Sequence, residues 1–336
     1  MWRISKLPTA PASHPSSTLL ARIHFANRKS YLWQTPSYPS MISYNPKNWL
    51  KLVFGLHRSQ LMRYLAPTIL LVGAFTFGLV FTVHKWEIPI PADFAIHTIV
   101  GIVLGLVLVF RTNTAYDRWW EGRKLFGSLT NSSRNLALKL HGILPLEDQA
   151  RRDYYFKTIY NFYFALKEHL RGTCEPDDLD LENMPYASSI REAQHKPAHI
   201  VAHLQQQVQN DLKAGIITPE QMLALAKDLD NCMEVGGACE RIRNTPIPFS
   251  YSTYIKKVII LYLATLPLSM VTKLGYWSVP MIMFATYVIA GIEVLAEEIE
   301  DPFGTDANDL DTDGMARNIR KNVKEILMVE PTTQQN

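Results

Sequence analysis

Uncharged apolar residues in this chain are gathered into blocks. The first runs from Tyr64 to Val83, with no charge between Arg63 and Lys85. That is about the 20 residues an α-helix needs to cross a bilayer. A short proline-containing link, 84–93, leads to a second block, 94–110, which stops at Arg111. The pattern returns late in the chain as 258–271, a link at 272–278, and 279–290 running on into Glu293. Paired blocks in two places predict four transmembrane helices arranged as two hairpins.

Between the hairpins, residues 112–257 carry dense mixed charge that lipid would exclude. Trp119, Trp120, Leu125, Phe126, Leu129, Leu136, Leu138 and Leu140 recur there at near-helical spacing, so the second span is expected to continue out of the membrane as a helix. Further helices are predicted over 154–170, 199–212 and 221–233, the last opened by Pro219 in a first helical turn, with an acidic loop over 176–186. No strand-like alternation is sustained, which makes the chain an all-α membrane protein. The expected organisation is an N-terminal extension (1–44), an amphipathic segment with the first hairpin (45–111), a cytosolic helical segment (112–257), the second hairpin (258–293), and an acidic motif with a helical tail (294–336).

An even number of spans on either side puts both termini and the middle segment on one face. Arg3, Lys6, Arg22, Arg28, Lys29, Lys47, Lys51, Arg58 and Arg63 precede the first span, and no acid occurs before Glu87. The positive-inside rule places that face in the cytoplasm. Residues 1–40 are Ser-, Pro- and Arg-bearing and free of acids, a composition shared with organellar transit peptides. Without an apolar core or a cleavage signature, an extension upstream of a natural start at Met41 is the favoured reading, and an organelle membrane is the expected location only if residues 1–40 are a transit peptide.

Composition hides this partition. The chain is 47% hydrophobic and 19% charged, with a mean hydropathy of −0.04, because apolar and polar blocks cancel. A net charge of +3 over 336 residues excludes a strongly basic nucleic-acid binder. Cys174, Cys232 and Cys239 are too few and too scattered for a disulfide scaffold or a zinc site, and read as reduced bystanders. His195, His199 and His203 recur every fourth residue and would line one helix face, but Pro197 interrupts the run, so a solvated or interface face is preferred over a metal site. Gly101 and Gly105 have the small-xxx-small spacing that lets helices approach closely. After the last span come Glu293, Glu297, Glu298, Glu300, Asp301, Asp306, Asp309, Asp311 and Asp313. Acids at a helix C-terminus oppose the helix dipole and call for partners, either a hard cation or an arginine from elsewhere.

Two long segments are more specific: Phe110-Arg111-Thr112-Asn113-Thr114-Ala115-Tyr116-Asp117-Arg118-Trp119-Trp120-Glu121-Gly122-Arg123, and Glu297-Glu298-Ile299-Glu300-Asp301-Pro302-Phe303-Gly304 with Asn308-Asp309-Leu310. With Thr245-Pro246-Ile247-Pro248-Phe249 ahead of the third span, they resemble the bestrophin family of ion channels, most of all its bacterial branch, over about residues 45–327. The resemblance implies a homopentamer around one axial pore lined by the second span. It places the family's hydrophobic neck on Ile102, Leu106 and Phe110, and its cytosolic constriction at Glu220 or an immediate neighbour. Calcium-gated members carry an unbroken acidic run after Pro-Phe-Gly, where this chain has Thr305, Asp306, Ala307, Asn308 and Asp309. Glu298, Asp301, Asp306 and Asp309 are therefore the candidate metal ligands, with Ca²⁺ gating in doubt and no other cofactor expected.

The sequence thus reads as a channel for small monovalent ions, with membrane lipids and further copies of itself as its partners and no nucleic acid. Anion (chloride) conduction is the family default. The alternative is a monovalent-cation channel, favoured by a ring of Glu220 carboxylates. A membrane-bound metal-dependent enzyme is a rival without any recognisable nucleophile, and a secondary transporter conflicts with the uncharged cores of the first two spans.

Overall fold

The computed structural model describes residues 60–89, 94–173 and 179–328; the expected extension 1–44, the start at Met41, the amphipathic stretch from residue 45 and Cys174 lie outside the described residues. The elements are α1 (Gln60–Trp86), α2 (Phe94–Ile143), α3 (Gln149–Arg171), α4 (Ala187–Glu192), α5 (Lys196–Lys213), α6 (Pro219–Asn244), α7 (Phe249–Leu274), a 3₁₀ turn (Gly275–Trp277), α8 (Ser278–Glu300) and α9 (Thr312–Leu327). No strand occurs among the described residues. The all-α expectation holds.

Three stretches are long and apolar enough to cross a membrane, Leu61–Trp86, Ala95–Ile143 and Phe249–Glu300. The third and fourth expected blocks thus lie in one apolar stretch, which the 3₁₀ turn breaks into α7 and α8. Gly275 makes that break with φ +52°, a left-handed conformation that only glycine adopts without strain. Two contacts prove the reversal: Met283 lies against Gly73 of α1, and the Ile247 N–H, just before α7, donates to Glu300 Oε1 at the far end of α8 (2.8 Å).

Packing in this layer is antiparallel and close. His97 Nε2 meets Thr265 Oγ1 at 3.2 Å, Gly101 faces the Tyr262 hydroxyl, and Leu104 and Leu108 pack on Ile255, Ile259 and Leu263. Of the two glycines with small-xxx-small spacing, Gly101 serves contact within the chain and Gly105 faces open space. The outer faces are apolar: Leu71, Phe77 and Ile260 are more than half exposed. Such a surface is costly in water and normal in lipid.

α2 runs through Arg111 without a break and carries the membrane layer into a water-exposed body. There Phe126, Leu129, Leu136 and Leu140 of α2 bury against Tyr155, Tyr163 and Leu166 of α3, Leu204 of α5, Leu225 and Val235 of α6, and Ile319 and Val323 of α9. Helix ends are fixed by capping side chains: Asp148 for α3, His195 for α5, a Thr218–Gln221 capping box for α6 and Asp311 for α9. Arg152, fully buried, donates to the carbonyls of His141, Leu144, Pro145 and Leu327 and so binds the end of α2 to the end of α9. Cys232 and Cys239 lie in this core, where burial pushes both thiols up to about 12 and keeps them unreactive.

The first turn of α9 is held to α3 by Asp313, which accepts from Lys167 (2.7 Å) and Arg171 (2.7 and 3.2 Å). Burial alone would raise the Asp313 carboxyl, but these hydrogen bonds and charges outweigh it and hold the group down to about 2. A depressed carboxylate contributes stability that is complete above its unfolded value near 3.8 and fades as pH falls through 2. Protection of the α9 amides relative to their intrinsic exchange rates should therefore fall between about pH 4 and pH 2 in wild type, and Asp313→Asn should show that lower protection already at neutral pH.

Candidate functional site: an apolar stripe and the polar collar beneath it

The face of α2 that meets α7 and α8 is spoken for, and what remains outside is apolar. Ile102, Leu106 and Phe110 lie four residues apart and are 69%, 57% and 58% exposed in the single chain. At 1.5 Å per residue they stand roughly 6 Å apart along the helix axis, one above another. The resemblance placed the neck on these residues; among the described residues no helix of the same chain covers them.

Directly below Phe110 the chemistry changes. Arg111 is fully buried, with its Nη2 2.7 Å from Glu300 Oε2 and its Nε 3.6 Å from Glu293 Oε2. Two carboxylates at the end of α8 thus share one guanidinium from α2. The acids after the last span do find partners from other segments, as their position against the helix dipole required. Glu297 finds a second one in Lys256 of α7, at 2.9 Å. Seven residues on, Arg118 donates to the carbonyls of Ile242 (2.5 Å), Thr245 (2.7 Å) and Glu300 (3.1 Å). These are the open carbonyl ends of α6 and α8, where a cation is favoured by the helix dipole. Arg111, Glu293 and Glu300 were not singled out as site residues by sequence reasoning, although one arginine and one glutamate abutting apolar runs are the usual mark of an intramembrane pair.

The acidic motif wraps the next turn of α2. Trp119 Nε1 donates to the Asn308 carbonyl at 3.0 Å. Phe303 and Pro302 press on Gly122, where an added Cβ would come within 3.1 Å of the Phe303 ring. Of the four candidate metal ligands, Glu298 accepts from the Asn308 side chain (2.5 Å), and Asp309 Oδ2 accepts from the Asp306 N–H (2.6 Å). Asp309 is buried, and its Oδ1 has no hydrogen-bond partner. Burial, with the neighbouring charges of Asp306, Asp301 and Glu298, pushes its carboxyl up to about 8 against the bond from Asp306. One orphaned oxygen faces the motif, but the carboxylates do not converge. Among the described residues the set of donors gathered within 4.8 Å is His169, His195 and Glu240, in the helical body beyond the collar.

Glu220 lies elsewhere again, in the first turn of α6, fully solvent-exposed. Hydrogen bonds from its own backbone N–H and from Thr218 hold its carboxyl below the usual carboxylate range, so it is ionised at neutral pH. Leu223, one turn on, is 74% exposed. The histidine run does not form a site: His195 caps α5 from outside the helix, while His203 stacks on Tyr186.

Comparison with known proteins gives a consistent result. Residues 41–325 match the family described as Bacterial/Fungal Bestrophin protein. A voltage-dependent anion channel-forming protein of Nostoc sp. is 32% identical over 291 residues, covering 85% of this chain and 94% of that protein. A protein of the same description from Escherichia coli K12 is 29% identical, covering 83% of this chain and 91% of its own length. The crystal structure of a bacterial bestrophin homologue from Klebsiella pneumoniae superposes with a TM-score of 0.72 at 28% identity, covering 79% of this chain and all of that one.

Removing the shared guanidinium should be severe. Arg111→Met leaves Glu293 and Glu300 buried without a counter-charge and should cost about 3–5 kcal/mol, read as a fall in the unfolding midpoint of the detergent-solubilised protein. Arg111→Met combined with Glu300→Gln should recover part of that loss.

Proposed function

The chain belongs to the bacterial and fungal bestrophin family, and on that premise we propose that it forms a homopentameric channel in a bacterial inner membrane that passes small monovalent anions, chloride first. It is a membrane protein that works as a homo-oligomer and a channel, not an enzyme. The observation that carries the pore assignment is the exposed stripe on α2: three large apolar side chains exposed on a helix whose Leu104 and Leu108 pack on α7. In a ring of five, Ile102, Leu106 and Phe110 make three stacked apolar constrictions. Such a neck passes an ion only after part of its hydration shell is shed, and it closes by dewetting. That favours large, weakly hydrated monovalent ions over divalent ones. The anion assignment comes from the relatives, which are described as anion channel-forming.

A second reading rests on Glu220. Its exposed, ionised carboxylate beside exposed Leu223 is suited to a second constriction, and five copies would repel anions and admit Na⁺ or K⁺. Calcium is assigned no gating role in either reading, because Glu298 and Asp309 each turn one oxygen to Asn308 or the Asp306 amide and the four carboxylates do not converge among the described residues.

Reversal potentials of the purified protein in a planar bilayer under an asymmetric NaCl gradient separate the two readings. The expected result is a reversal near the chloride equilibrium potential. A reversal near the sodium potential that collapses in Glu220→Ala would replace it with the cation reading. Changing Ile102, Leu106 and Phe110 together to Ala should widen and wet the neck and raise single-channel conductance several-fold; unchanged conductance would remove α2 from the pathway.

A further inference from the structure

The helical body beyond the collar carries a side-chain cluster that neither reading of the pore uses. His169, in the last turn of α3, and His195, the N-cap of α5, both point their Nε2 atoms at one oxygen of Glu240 near the end of α6. The distances to Glu240 Oε1 are 3.2 Å from His169 and 2.7 Å from His195, and the two imidazole rings lie 4.6 Å apart. We propose that His169, His195 and Glu240 form a binding site for a first-row transition-metal ion of the Zn²⁺ or Ni²⁺ class.

The geometry is close to what such an ion asks for. Bonds of about 2.0–2.1 Å in a tetrahedral arrangement put neighbouring donor atoms roughly 3.3 Å apart, and the donors here already lie within 4.8 Å of one another. Small outward shifts of the rings open the space. Two imidazoles and one carboxylate select Zn²⁺, Ni²⁺ or Cu²⁺ over Ca²⁺ or Mg²⁺, which separates this site from the oxygen-only acidic motif. The side chains are 26%, 40% and 26% exposed, so an ion reaches them from solution and keeps a fourth position for water.

The ligands are also tied to the fold in a way that gives the site its own signature. His195 Nδ1 accepts the Ala198 N–H at 3.1 Å, which fixes its other proton on Nε2, where it is donated to Glu240. A metal at Nε2 displaces that proton. It returns through solvent to Nδ1, so the imidazole stays neutral and no net charge is lost. Ala198 then has a donor facing it instead of an acceptor, and α5 loses its cap. Metal binding and the first turn of α5 are therefore in competition. In exchange, the ion joins α3, α5 and α6 two residues ahead of Ile242, whose carbonyl receives Arg118. The site braces the body next to the collar.

The test uses the full chain in detergent, stripped with chelator and titrated with ZnCl₂ by calorimetry at neutral pH. One Zn²⁺ per chain is expected, with affinity reduced at least about tenfold in each of His169→Ala, Glu240→Gln and His195→Ser. The serine retains a helix cap and removes only the ligand, so a loss there is not a folding defect. Unaltered affinity in these variants, or no binding by wild type at 100-fold molar excess of Zn²⁺, would overturn the proposal. Hydrogen exchange on the wild-type protein gives a second readout: the amides of Lys196 and residues 198–200 should exchange faster when Zn²⁺ is added, and rates unchanged or slowed there would sink coordination through His195 Nε2.

Discussion

A guanidinium buried at the edge of a bilayer needs a carboxylate within reach, and Arg111 has two. Glu300 closes α8 and Glu293 lies about two turns before it, so the end of that helix cannot slide or turn relative to α2 without exposing an unpaired charge to a low-dielectric surrounding. Glu300 also takes the Ile247 N–H, and its carbonyl takes Arg118. One residue thus fixes the start of α7, the end of α8 and the middle of α2. The two hairpins could pack in many registers through apolar contacts alone; this polar knot chooses one.

The collar has a second role as a boundary between solvents. Above it, the outward surface of α1, α2, α7 and α8 is apolar and the interior is thin. Below it, the same α2 becomes the buried axis of a body with aromatic and aliphatic residues from five helices. The change falls between Phe110 and Trp119. Arg111 is met there by the carboxylates of α8, while Arg118 and the Trp119 indole are met by backbone carbonyls of the segments around them. At this level α2 is tied to its neighbours by their carbonyls and carboxylates.

Much of the fold was legible because lipid imposes a simple rule on sequence. A run of about 20 uncharged residues has few alternatives to spanning, so the hairpins and the continuation of the second span could be read without any partner being known. The collar was harder. Asp313 meets Lys167 and Arg171 across more than 140 residues, and nothing local in Asp313 announces them. The histidines show how period alone misleads. Spacing of four put His195 on a helix face with His199 and His203, but Pro197 belongs in a first turn, which leaves His195 outside as the cap and sends its free nitrogen to α6. Family resemblance named Ile102, Leu106 and Phe110; the structure shows them exposed on α2 while Leu104 and Leu108 of the same helix pack on α7.

The unbroken course of α2 carries a consequence for how this helix can vary. Its 50 residues form one rigid rod that holds the apolar stripe and the collar at fixed azimuths. An insertion or deletion of a single residue between Phe110 and Trp119 would rotate one relative to the other by about 100°. The stripe would then face α7 or lipid while Arg118 still addressed α6 and α8. Changes of about seven or about eleven residues would bring the phase back to within about 20°. Length in this part of the chain is therefore quantised, and α2 acts as a vernier between the apolar stripe and the polar collar.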